Sequence, residues 1–306
     1  MTVSWTESVK DILRWGPLGW LGRGLARLRR RHPTVAVLRL SGTIGRGMRG
    51  RSLSLQDLAG DIERAFSLSH IKAVALVINS PGGSPVQSSL IAKRLRDLAE
   101  EKDLKVYAFV EDVAASGGYW LASVADEIYA DRSSVIGSIG VISAGFGLQD
   151  AISKLGVERR VYTAGTSKSM LDPFKPEQAK DVKHLQGLLG EIHEAFKDQV
   201  RLRRGAKLKV KEAQLFNGQF WTGAKALELG LVDGLGDLRG ELRRRYGAKL
   251  RLVLINPPKG GFRRLLGFGG ATQQPARMLS DFSSGDLAGD LLAAVEERAL
   301  WSRFGL

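Results

Sequence analysis

The run AVALVI at residues 73–78 is apolar at every position, which suits a strand covered on both faces of a sheet better than one with a face in water. The same kind of segment recurs on either side of it. VAVLRL (35–40) comes before, and Leu55, Leu58, Ile62 and Phe66 recur at helical spacing between the two. KVYAFV (105–110) comes after a second helical period carried by Ile91, Leu95 and Leu98. Short strands alternating with helices predict an α/β fold around a buried, mainly parallel sheet.

Farther along, short strands are expected at Glu127–Ala130, Gly140–Ile142 and Arg159–Tyr162, with a long helix from about Pro176 to Arg204. A helix-loop-helix region follows Val210, and a last strand is expected near Leu250–Ile255. Residues 257–285 are rich in Gly, Pro, Ser and Gln and read as a linker. The chain thus divides into an N-terminal arm (1–33), a single α/β domain (34–256), the linker (257–285) and a C-terminal helix (286–306).

The formal charge is 46 − 32 = +14, and residues 1–31 concentrate it, with seven Lys/Arg against Glu7 and Asp11. Trp5, Trp15 and Trp20 stand among these basic residues, while Pro17 and several glycines interrupt any helix. The uncharged stretch from Trp15 to Gly22 is far short of the roughly 18–20 apolar residues that cross a bilayer. Acidic residues precede it and arginines follow, the reverse of a secretory signal. The expectation is a cytoplasmic protein whose basic arm contacts an anionic membrane surface peripherally, or else packs on its own domain or a neighbour. No nucleic-acid motif accompanies the charge.

The chain has no cysteine, which removes disulfides and thiol nucleophiles. No metal-ligand spacing appears, the glycine loops lack both the Gly-Lys-Ser/Thr ending of a nucleotide loop and the GxGxxG pattern, and no cofactor is expected. His184 and His193 lie nine positions apart on one predicted helix, about 180° around it, and read as surface residues. A Ser-His-Asp triad therefore has no evident base.

Two other stretches carry chemistry. NSPGGS (79–84) and VAASGGYW (113–120) each follow a buried strand, so in a parallel sheet both reach the same carboxyl edge, where crevices form. Glycine amides in SPGG could face a bound oxygen, although Pro-Gly-Gly also makes an ordinary turn; Ser116 is a candidate nucleophile beside the N–H of Gly117, although a serine before Gly-Gly is also a common helix cap. In YTAGTSKSMLDPF (162–174), Lys168 sits among small, hydroxylic and apolar residues. Desolvation there would favour the neutral amine and let it take the serine's proton; the alternative is a surface lysine.

NSPGGS, SGGYW, GSIGV and AGTSKSMLDPF, in that order and spacing over residues 34 to about 255, resemble the signal peptide peptidase A/SohB family of serine–lysine peptidases. The resemblance implies a Clp-protease/crotonase-like spiral of β-β-α units that assembles into rings of identical subunits. It implies Ser116 as nucleophile, Lys168 as general base, Ser138 as the residue orienting the lysine, and Gly83 and Gly117 as oxyanion donors. The implied substrates are hydrophobic peptides such as signal-peptide remnants or membrane-protein fragments, bound in an apolar groove. This chain carries one copy of the domain, so its sites should lie within or between identical subunits. A crotonase-like acyl-thioester enzyme and a noncatalytic scaffold on the same fold are the rival expectations.

Overall fold

A computed structural model describes residues 32–45, 53–256, 295 and 298–306. The expected membrane-contacting arm through residue 31 and the linker at 257–285 lie outside them. Eight strands form one sheet: β1 (Thr34–Ser41), β2 (Ile71–Ser80), β3 (Lys105–Ala115), β4 (Glu127–Ala130), β5 (Val135–Gly137), β6 (Phe220–Thr222), β7 (Gly234–Leu235) and β8 (Arg251–Leu254). Their main order is β6-β5-β3-β2-β1-β8, with β4 and β7 branching from β3. All pairings are parallel except β5 with β6.

The branch arises within β3. Its first half, Tyr107–Val110, pairs with β4, and its end, Val113–Ala115, pairs with β5. Between them the register against β2 shifts, and Ser80 pairs with Ala114. Between the pairs Ile78–Val110 and Ser80–Ala114, β3 carries two more residues than β2, and such extra residues bend a strand locally.

Helices α1 (Leu55–Ser67), α2 (Pro85–Glu101), α3 (Gly117–Ser123) and α5 (Ala179–Arg204) contribute to the larger core with Leu38, Leu76, Ile78 and Val106. The opposite face of β1–β4 buries Val35, Val37, Ala75, Tyr107 and Phe109 under α8 (Leu238–Tyr246) through Leu242. This two-sided cover accounts for the unbroken apolar run at 73–78. Three shorter helices also lie among the described residues: α4 (Gln149–Lys154), α6 (Glu212–Leu215) and α7 (Gly223–Leu229).

Two expected strands do not form. Residues 140–142 form no strand; the strand lies earlier, at β5, and ends where Ser138 takes a left-handed φ of 54°. Residues 159–162 lie in an excursion between β5 and α5 that has no strand beside it, and a strand without a ladder leaves its backbone to solvent.

Candidate active site

Ser116 joins β3 to α3 with φ 52° and ψ −123°, a backbone conformation that costs a non-glycine residue on the order of 1–3 kcal/mol. It occupies the N-cap position, yet its side chain makes no capping bond. The contrast with Ser54, Ser84, Thr222 and Asp237 is direct, since each of these accepts from an amide of its own helix. Ser116 therefore does not cap the helix through its side chain, and it sits in a strained turn between strand and helix. The Ser116 amide donates to the carbonyl of Gly137 at 2.8 Å.

The glycine loop after β2 touches this turn. Ile44 donates its amide to Gly82 and accepts from Ser84, both at 2.8 Å. That bridge turns the amide of Gly83 to the side away from Ile44, and a Cβ on Gly83 would stand 2.1 Å from the Ile44 carbonyl oxygen. A Cβ on Gly82 would stand 2.8 Å from the Ser116 Cβ and 2.9 Å from the Gly117 nitrogen. SPGG and SGG therefore meet at one sheet edge, as their positions after parallel strands predict.

The residues after Ser116 explain the odd composition of that stretch. Gly117 and Gly118 let α3 lie against α2 and the end of β2, where Cβ atoms would come within 2.4 Å of the Ser88 hydroxyl and the Ser80 carbonyl. The two aromatics then anchor the helix. Trp120 stacks on Phe196 of α5 with centroids 4.8 Å apart, and the Tyr119 hydroxyl donates to the Leu231 carbonyl at 2.8 Å. Burial pushes the Tyr119 phenol well above its ordinary range, so it stays a donor.

A cavity of 290 Å³ opens beside Ser116, and its lining includes Ser138, Ile142, His193, Asn217 and Arg303. Ser138 is buried and held by its amide to the Gln219 carbonyl at 2.7 Å, so the structure brings together Ser116, Ser138 and the two glycine turns. Lys168 is not brought to them within one chain. It is exposed in the 143–178 excursion and lies outside the cavity lining. Of the apolar residues expected around it, Phe174 packs under the Arg159 guanidinium, 4.6 Å from the ring centre.

His193 departs from the surface role expected of it. It lines the Ser116 cavity, with Nε2 3.2 Å from the Ile139 carbonyl oxygen, while His184 stays exposed. Its position three residues before the buried Phe196 was the available signal. Asn217 and Arg303, also unforeseen, carry none, because each reaches the cavity only through the packing of distant segments. The groove expected to be apolar is polar at this end.

Comparison with known proteins agrees with this architecture. The profile of Peptidase family S49 matches residues 99–245. The protein named "Putative protease slr0021" of Synechocystis sp. is 33% identical over 242 residues, covering 76% of this chain and 83% of the relative. The chloroplastic serine protease SPPA of Arabidopsis thaliana is 32% identical over 217 residues, covering 67% of this chain and 31% of the relative. A Brucella abortus protein named Na(+)/H(+) antiporter NhaA is 50% identical over 98% of this chain, which spans only 41% of that relative's length. Among the described residues no helix is long and apolar enough to cross a membrane. With its Clp-protease-like α/β fold, the chain belongs to peptidase family S49, the signal peptide peptidase A-like family.

Proposed function

We propose that this chain is a serine peptidase in which Ser116 is the nucleophile and Lys168, supplied by a second copy of the chain, is the general base. The observation that carries the reading is the Ser116 turn: a serine in left-handed backbone, unused as a cap, at the contact of two glycine loops and the mouth of a cavity. The exposed excursion bearing Lys168 also presents Phe146, Leu155, Val157 and Tyr162 to solvent, an apolar surface suited to packing on a neighbour.

In this mechanism the neutral Lys168 amine takes the proton of the Ser116 hydroxyl as its oxygen attacks the peptide carbonyl. The amides of Gly83 and Gly117 donate to the oxyanion, and Ser138 orients the lysine. Lys168 then returns the proton to the leaving amine, and water releases the acyl group as a carboxylic acid, regenerating the serine. Apolar substrate residues would lie along the exposed Ile142 edge.

Complementation tests both parts. Ser116→Ala and Lys168→Ala chains, each inactive alone, should recover about a quarter of wild-type peptidase activity when unfolded and refolded as an equal mixture, if every site draws on two subunits. No recovery would reject the shared site, and full activity of Lys168→Ala alone would reject the base. A second reading rests on His193, which lines the Ser116 cavity where Lys168 does not. A histidine base would make His193→Gln, and not Lys168→Ala, the inactive variant.

A further inference from the structure

The C-terminal helical segment places Arg303 in the wall of the cavity that holds Ser116. Its neighbour Phe304 packs edge-on against Phe220 of β6, with centroids 5.1 Å apart and planes at 73°. The residue before Phe220 is Gln219, whose carbonyl holds the Ser138 amide. Arg303 is thus tied to the strand that braces the reaction centre, although nearly two hundred residues of sequence separate it from Ser116.

The charges around it are one-sided. Among the described residues no carboxylate lines the cavity. Among the described residues Arg303 has no ion-pair partner, whereas Arg201 is paired with Glu212, Arg204 with Asp233 and Arg245 with Glu127. Asn217 is oriented by Gln219: its nitrogen donates to the Gln219 side chain at 3.2 Å and its oxygen accepts the Gln219 amide at 3.0 Å. His193, also in the lining, carries no negative charge in either protonation state. Arg303 is exposed at the cavity, and its guanidinium offers a planar fork that matches a carboxylate in bidentate fashion.

We infer that Arg303 makes this cavity a receptor for a substrate carboxylate, so that the enzyme favours peptides with an acidic side chain, or their own C-terminal carboxylate, beside the bond cut at Ser116. The inference rests on the peptidase reading above and names the chemistry its pocket selects. It adds a polar recognition point to the apolar Ile142 edge.

The test separates binding from turnover. Fluorescently labelled peptides differing only as Glu or Gln at one internal position, each with an amidated and a free C-terminus, are titrated into the full-length Ser116→Ala protein and its Ser116→Ala/Arg303→Gln double variant. The carboxylate-bearing peptide should bind about tenfold more tightly than its uncharged counterpart. That ratio should fall to near one with Arg303→Gln and be retained with Arg303→Lys in part. The internal Glu arm and the free-terminus arm identify which carboxylate is read. Equal binding of all four peptides to Ser116→Ala, or a preference that survives Arg303→Gln, overturns the inference. Wild-type protein that binds Glu peptides selectively but cleaves none would overturn the peptidase reading and leave carboxylate recognition standing. An equal rise in cleavage of every peptide on Arg303→Gln would mark the segment as a plug and overturn the inference.

Discussion

Gly82 and Ser116 meet so closely that a methyl group on the glycine would lie 2.8 Å from the serine Cβ. This contact seats one loop of the β2 end against the turn at the β3 end, and so sets the distance between the Ser116 hydroxyl and the amides around it. Gly82→Ala is expected to cut peptidase activity by about a hundredfold or more, because displacing an oxyanion donor has that scale of effect. Circular dichroism on the same variant should still show a folded protein; wild-type turnover would refute the placement.

Trp120 carries α3 by stacking on Phe196, and both rings are buried. Trp120→Ala should cost about 3–5 kcal/mol in denaturant unfolding, the range for emptying a buried aromatic site. Reactivity of Ser116 towards a fluorophosphonate probe should fall with it, since the turn loses its anchor. Trp120→Phe should restore most of both.

Lys168→Arg is expected to be as inactive as Lys168→Ala, because a guanidinium stays protonated across the working pH range and cannot accept the serine's proton. Peptide hydrolysis by the two variants, measured at several pH values up to about 10, checks this. Any recovery in Lys168→Arg would argue for a role in binding rather than proton transfer.

Arg204 is fully buried and its guanidinium donates to Asp233 at 2.5 Å, while Lys207 reaches the other carboxylate oxygen at 2.9 Å. Burial alone would push the Asp233 carboxyl up, but Lys207 and Arg204 together hold it below its ordinary value. A carboxyl lowered in the folded state stabilises the fold above its unfolded pKa, and that stability is lost as pH falls through the folded value. Asp233→Asn should therefore destabilise the protein by about 3–5 kcal/mol at neutral pH, by stranding a buried cation. The gap between variant and wild type should narrow below about pH 4 in thermal melts.

The basic, tryptophan-containing residues 1–31 predict binding to vesicles containing anionic lipid, weakened by salt. Deleting them should abolish vesicle sedimentation of the protein. Equal sedimentation of the truncated chain would assign the arm another task.

Much of the site was legible because its parts are local. The apolar runs at 35–40, 73–78 and 105–110 became β1, β2 and β3, and the glycine turns that follow two of them met at a shared edge, as parallel topology requires. The expected strand at 140–142 failed because Ser138 turns the chain out of the ladder, a conformation that residue type alone does not announce. His193 reads as a surface residue in the sequence for a similar reason: helical periodicity states which residues share a face, and not what that face meets.

The amino-acid order by itself determined the α/β alternation and the placing of two glycine-containing turns after buried strands, since these follow from burial and from backbone geometry over a few residues. Only the tertiary structure decided that Ser138, His193 and Arg303 surround that serine and that Lys168 stands away from it in its own chain. Those relations depend on how segments far apart in sequence pack, and packing is a property of the whole sheet and its helices rather than of any stretch of them.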